Sequence, residues 1–290
     1  MTGRRIERVG LIPHHDRTLA GELARRAAEV LAARGVEVRV PAPDVAAWPD
    51  LAPYSVEPGA FARGIDVAVA LGGDGTMLRT VDAVHADGAA VLGVNVGQMG
   101  YLSEVEPEDL DASLERLLAG DYLVDERVML QVTVESEGSA GGRWWALNEA
   151  VLEKTEPGHM ARLAVEINGT YFTTYAADGV IVATATGSTA YSFSARGPIV
   201  SPRHRCLLLT PVSPHMLFDR SLVLGPDEEL RFVVVDGRPV MATADGRALG
   251  ELRRGDSVRC TGASTPARIV TFGRRDFHQI LKAKFGLADR

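Results

Sequence analysis

Up to Gly120 the chain alternates short apolar runs with stretches of helical period, and beyond it the helical period almost disappears. No other feature restricts the fold as much. Residues 9–12 form an apolar run, after which Leu19, Leu23, Ala27, Val30 and Leu31 recur at helical spacing until Gly35 stops them. Val36, Val38 and Val40 alternate as a second strand, and residues 41–58, with five prolines, read as a long irregular loop. Residues 65–71 form an apolar strand that runs into Gly72-Gly73-Asp74-Gly75-Thr76, and Met77, Leu78, Val81 and Val84 then predict a helix. A further strand spans 91–96, and Leu110, Leu114, Leu117 and Leu118 mark another helix. Strands alternating with helices imply a parallel sheet in an α/β domain.

Beyond Gly120 the readings are mostly strands, at 123–134, 144–152, 161–167 and 170–176, with shorter ones at 207–209, 230–235, 240–244 and 269–272. Asn168-Gly169 between two of them is a two-residue hairpin signal. The segment 276–285 carries Phe277, Ile280, Leu281 and Phe285 on one helical face. A chain of 290 residues is comfortable as two modest domains, so an α/β domain followed by a β-rich one with a cleft between them is the expectation. A net charge of −7 argues against nucleic acid as the main partner, because phosphate-backbone binding needs a clustered positive surface. No apolar run approaches the ~20 residues of a membrane span, and the first ten residues lack the pattern of a signal peptide. A cytoplasmic protein is expected. Cys206 and Cys260 lack metal-ligand spacing and read as reduced thiols.

Three segments could carry chemistry. Gly72-Gly73-Asp74-Gly75-Thr76 lies where a strand gives way to a helix; glycines there let backbone N–H groups approach an anion, and the helix N-terminus favours negative charge. It is neither a Walker A loop, lacking the lysine, nor a dinucleotide fingerprint, since Leu78 stands where the third glycine should be. Asp74 beside a phosphate cradle makes sense if it binds a metal or takes a proton from a hydroxyl; a plain Gly-Asp-Gly turn is the alternative. The second segment, residues 178–191, is a strand that opens into a Gly/Ser/Thr turn and a predicted helix, suited either to phosphate oxygens or to a helix cap made by Ser188 or Thr189. Third, Asn148-Glu149 is a polar pair in an apolar strand, a hydrogen-bonded functional pair or a polar edge.

Together and in this order, the three segments resemble the NAD kinase family, as do residues 94–102, 211–220 and the Asp245-Gly246 turn. Gly-Gly-Asp-Gly alone is shared with diacylglycerol and sphingosine kinases and with phosphofructokinases; the ordered set is specific. The resemblance implies a two-domain fold: an α/β domain over 1–121, a β-rich NAD-binding domain over 122–275, and a terminal helix over 276–290 packing back on the first. It implies transfer of the γ-phosphoryl of ATP to the 2′-hydroxyl of NAD's adenosine ribose, with a divalent cation, Mg²⁺, and with polyphosphate as another donor to consider. By resemblance Asp74 is the general base. Gly72, Gly73, Gly75, Thr76 and Arg79 would hold the phosphate donor. Asp74, Gly75, Tyr101, Asn148, Glu149, Asp178, Thr186, Ser188, Thr189, Ala190, Tyr191 and Ser194 would hold NAD. Family members assemble as homodimers or homotetramers, so an oligomer is expected. Ala185, Arg196 and Ser221 depart from the family's usual proline, glycine and proline. A glycine position with positive φ would suit arginine poorly.

Overall fold

The computed structural model describes residues 5–97, 100–136, 141–273 and 276–287. The chain divides into two compact units, one formed by the chain up to Glu126 and again from Ala267 onward, the other by residues 127–266.

The first unit is built on a seven-stranded sheet of order β3-β2-β1-β4-β5-β19-β6. Its strands are β1 (Arg8–Pro13), β2 (Glu37–Pro41), β3 (Ser55–Val56), β4 (Val67–Gly72), β5 (Ala90–Asn95), β6 (Leu123–Arg127) and β19 (Ala267–Thr271). β1 pairs in parallel with both β2 and β4, and β5 with both β4 and β19. Helices α1 (Thr18–Ala33) and α5 (Leu110–Leu118) bury Leu23, Leu31, Leu114 and Leu117 in one cluster with Val9, Leu11, Val69 and Leu92. α4 (Asp74–Val84) packs on the opposite face, where Met77 fills the space that a Cβ on Gly93 would take. Cover on both faces explains why β4 and β5 are buried at every residue and read as unbroken apolar runs rather than alternating ones.

Residues 41–58 are more ordered than five prolines suggest, holding α2 (Ala42–Ala47), a 3₁₀ turn over Pro49–Tyr54, β3 and the start of α3 (Pro58–Phe61). Proline at the first positions of each helical piece explains this, since its fixed φ suits a helix start and its missing N–H is not needed there.

The second unit is two antiparallel six-stranded sheets, β11-β10-β15-β18-β7-β8 and β14-β13-β12-β9-β16-β17. The first holds β7 (Leu130–Glu135), β8 (Gly142–Ala146), β10 (Ala161–Ile167), β11 (Thr170–Ala177), β15 (Leu230–Val234) and β18 (Ser257–Gly262). The second holds β9 (Glu149–Lys154), β12 (Gly179–Thr184), β13 (Leu207–Val212), β14 (Leu222–Leu224), β16 (Val240–Ala244) and β17 (Arg247–Leu252). Val132, Leu163 and Phe232 from one sheet share a core with Val180, Leu207 and Ala242 from the other. β12 is buried on both faces, its outer residues Ile181 and Ala183 packing with Cys206 and Leu208. Asn168 and Gly169 both have positive φ, 52° and 75°, the geometry that a tight β10–β11 hairpin demands. Cys206 and Cys260 are buried free thiols.

Two expectations need correcting. Residues 267–271, assigned to the β-rich domain over 122–275, are β19, which pairs in parallel with β5 and so returns to the first unit. A five-residue strand shows its length in the sequence, not its partner. The helix expected after the 178–191 strand amounts to a 3₁₀ turn over Thr186–Thr189 and one turn, α6 (Tyr191–Ser194). Neither Ser188 nor Thr189 caps it.

Arg196 lies just past α6 with φ +67°, exposed, its N–H bonded to the Phe193 carbonyl at 2.9 Å. Left-handed backbone costs a non-glycine residue ~1–2 kcal/mol, partly offset by the greater unfolded-state freedom of glycine. Arg196→Gly is expected to stabilise the protein by about 0.5–1 kcal/mol in urea unfolding. A lower denaturation midpoint in the variant would mean that the arginine side chain contributes more than its backbone strain costs.

Candidate active site

β1 and β4 are adjacent parallel strands, but the chain leaves β1 toward β2 and leaves β4 toward β5. This is a topological switch point, where loops at the carboxyl ends of the strands diverge and open a crevice. The His14 N–H donates to the Leu71 carbonyl at 2.9 Å, fixing the two strand ends side by side. A cavity of about 550 Å³ opens there, lined by residues 14–17 after β1, residues 73–76 after β4, Arg79, Gly100 and Lys284.

Gly73 is the N-cap of α4 and Asp74 its first residue. The Asp74 carboxylate is fixed by two backbone donors, accepting from the Tyr101 N–H at 3.0 Å and the Leu102 N–H at 3.2 Å. Close approach of that segment requires Gly100, because a Cβ there would collide with the carboxylate. Gly72 likewise leaves the room that Thr76 fills. A carboxylate has about four acceptor positions, so Asp74 keeps capacity for a ligand after these two bonds. Asp74 is half-buried and lines the polar crevice. Arg79 is fixed below the cavity, with NH1 2.7 Å from the buried Asp44 carboxylate and NH2 donating to the Pro13 carbonyl at 2.6 Å. His15 shares Asp44, Nε2 to Oδ1, at 2.8 Å.

In the second unit Asn148 and Glu149 are neither mid-strand nor at a plain edge. β8 ends at Ala146, and Leu147 and Asn148 form a bend before β9. Asp245 makes that bend: its carboxylate accepts from the N–H groups of Leu147, Asn148 and Glu149 at 2.7, 2.9 and 3.0 Å. Its own φ of +45° turns it into position. The bend is then packed against the 178–191 segment, as the Thr184 N–H donates to the Asn148 carbonyl at 2.8 Å and Gly187 lies so close to Asn148 that a Cβ would clash. Burial and the nearby Asp245 charge push the Glu149 carboxyl up to about 8, only partly opposed by a hydrogen bond from the Tyr191 N–H. Its Oε2 is buried without a hydrogen-bond partner. Asp178 is held by Lys154, Nζ to Oδ1 2.5 Å. Burial, then Glu153 and Asp178, raise the Tyr191 hydroxyl above its usual range.

Of the expected site residues, Gly72, Gly73, Asp74, Gly75, Thr76, Arg79 and Tyr101 gather at the crevice of the first unit. Asn148, Glu149, Thr186, Thr189, Ala190 and Tyr191 gather along the bend and turn of the second, with Asp178 at the other end of β12 and Ser194 exposed in α6. Ser188 is fully buried, its hydroxyl donating to the Val200 carbonyl at 3.1 Å and accepting the Val200 N–H at 3.0 Å, so its one donor is committed to fastening two chain segments. Asp44 and Lys154 escaped sequence reading; Asp245 entered it only as part of the Asp245-Gly246 turn, with no role given to its carboxylate.

An acid at a glycine-rich helix start in the switch-point crevice of an α/β unit, followed by a β-sandwich with a second polar site, is an arrangement suited to a nucleotide-binding protein. Residues 53–122 match the family model of the ATP-NAD kinase N-terminal domain and residues 147–272 that of the ATP-NAD kinase C-terminal domain. The chain belongs to the NAD kinase family. It is 41% identical over 277 residues to the NAD kinase of Heliobacterium modesticaldum, covering 95% of this chain and 97% of that one. With the NAD kinase of Moorella thermoacetica it shares 39% over 282 residues, covering 96% and 89%. The fold matches yeast NADH kinase complexed with NADH at a TM-score of 0.91 (23% identity; 99% of this chain, 89% of that one). It matches an NAD kinase from Archaeoglobus fulgidus in complex with ATP at 0.73 (22% identity; 97% and 100%).

Proposed function

We propose that the chain transfers the γ-phosphoryl of ATP to the 2′-hydroxyl of the adenosine ribose of NAD, with Asp74 taking the hydroxyl proton. The observation that carries this assignment is the Asp74 carboxylate, fixed by two backbone N–H groups at the start of α4 in the switch-point crevice. The new O–P bond forms as the bond from the γ-phosphorus to the β–γ bridging oxygen breaks; ADP leaves with that electron pair and Asp74 holds the proton. Gly72, Gly73, Gly75 and Thr76 hold the donor phosphates at the helix start, and Arg79 supports them.

Among the described residues no cluster of three His, Cys, Asp or Glu side chains could bind a metal by itself. Mg²⁺ is usually held by one or two carboxylates together with substrate phosphates. Asp16, at the cavity, would hold it together with the donor phosphates, and it would neutralise phosphate charge. On the acceptor side, Asn148 and Glu149 hold the adenosine end, and Asp178, Thr189, Ala190 and Tyr191 the rest of the dinucleotide. No helix among the described residues is long and apolar enough to cross a membrane. We also take the active form to be a homo-oligomer.

Incubation with NAD, ATP and Mg²⁺ should yield NADP, read enzymatically. If none forms while lipid or sugar acceptors are phosphorylated, the assignment is wrong.

Asp245→Ala should raise KM for NAD about ten- to a hundred-fold with a smaller change in kcat. Three backbone N–H groups lose a charged acceptor, each such bond contributing ~1.5–3 kcal/mol, and the bend that presents Asn148 and Glu149 loosens. An unchanged KM for NAD would show that the bend does not present the acceptor.

A further inference from the structure

Several basic side chains line the switch-point cavity, but they are not equivalent. Arg79 and His15 both rest on the buried Asp44 carboxylate, and Arg79 also on the Pro13 carbonyl. Arg17 and Lys284 line the same cavity with no carboxylate partner among the described residues. The Arg17 guanidinium lies against Gly97, whose φ of +123° and missing Cβ leave it room. Lys284 stands on the terminal helix α7 (Phe277–Phe285), far along the chain from the loop it faces. Its Nζ sits 4.4 Å from the centre of the Tyr101 ring. The N–H of this same Tyr101 holds the Asp74 carboxylate.

An ammonium over a ring face is positioned without being neutralised, since the ring offers a quadrupole and no counter-charge. Its three donors also exceed what one ring face can take. Two unneutralised cations in a polar cavity of about 550 Å³ that is also lined by a helix start are what a chain of phosphates requires.

We propose that Lys284, together with Arg17 of the same cavity lining, binds the phosphate tail of the nucleotide donor, so that the terminal helix α7 is a working part of the donor site. This rests on the assignment of the 72–79 loop to the donor. Lys284 therefore contacts ATP and not NAD, and its ring partner Tyr101 joins the donor contact to the segment that fixes Asp74.

The test is steady-state kinetics of Lys284→Met and Lys284→Arg with both substrates varied, together with ATP binding by calorimetry in the absence of NAD. A charge-assisted contact of this kind predicts about a tenfold rise in KM and Kd for ATP in the methionine variant. KM for NAD should be unchanged, and arginine should recover most of the loss. Arg17→Met should show the same selective effect, which keeps the proposal testable if a change in α7 impairs folding. Unchanged ATP affinity in Lys284→Met, or a rise confined to KM for NAD, would overturn the proposal. A wild-type protein that binds ATP through Lys284 but makes no NADP would overturn the kinase assignment and leave this one standing.

Discussion

Asp74→Asn is expected to lower kcat by about 10²- to 10⁴-fold, some 3–5 kcal/mol of barrier, while the protein still folds and binds both nucleotides. The amide has the shape of the carboxylate but cannot accept the proton of a ribose hydroxyl. It also has only one acceptor oxygen for the two N–H groups of Tyr101 and Leu102, so one of those bonds is lost, at about 1 kcal/mol. A loss of that size moves the melting temperature by a few degrees and not the fold. Asp74 therefore separates chemistry from binding: ATP and NAD titrations on the variant should give dissociation constants near the wild-type values, while single-turnover NADP formation collapses. A variant that retains kcat would remove Asp74 from the proton transfer and leave it a structural anchor for residues 100–102. Loss of ATP binding without further loss in turnover of bound substrate would make it a donor ligand alone.

Asp74 was readable in the sequence because its chemistry is local. A strand, two glycines, an acid and a helical period lie together within residues 65–84, and the physics of a helix start acts over such a span. The β10–β11 hairpin was readable for the same reason, since Asn168-Gly169 encodes its own backbone. What escaped depends on residues distant in the chain. Asp245 organises a bend almost a hundred residues upstream, and nothing in Thr-Ala-Asp-Gly-Arg states which N–H groups its carboxylate receives. β19 looks like any short apolar strand, and its return to the first sheet is settled by the edge that β5 leaves open. β17 escaped because Arg247, Ala248, Gly250 and Glu251 are exposed and its residues show no alternation to detect. The sequence of a Gly/Ser/Thr turn likewise does not show that the Ser188 hydroxyl bonds the backbone of Val200, twelve residues on, as donor and as acceptor.

Glu149 gives the other large effect, because its proton links the stability of the second unit to the binding of the acceptor. Burial and the Asp245 charge raise its carboxyl from an ordinary 4.5 to about 8. The sign follows from which state releases the proton first. Below about pH 4.5 the side chain is neutral whether the chain is folded or unfolded, and the folded state has its full advantage. Between 4.5 and 8 the unfolded chain ionises and the folded one does not, so stability falls as pH rises; above 8 both are ionised and the loss is complete. Each pH unit within that window costs up to about 1.4 kcal/mol, and with the solvent-facing part of the carboxyl discounted the total is on the order of 3 kcal/mol. Glu149→Gln removes the titration while keeping a neutral donor and acceptor of the same shape. The variant should therefore match the wild type in urea unfolding near pH 5 and exceed it increasingly toward pH 8. The same proton lets Glu149 donate to an acceptor atom of the adenosine as well as accept from a hydroxyl. NAD affinity in the wild type should then weaken as pH passes 8, with that of Glu149→Gln nearly flat. Parallel stability curves for the two proteins would mean that Glu149 is ionised in the folded state throughout.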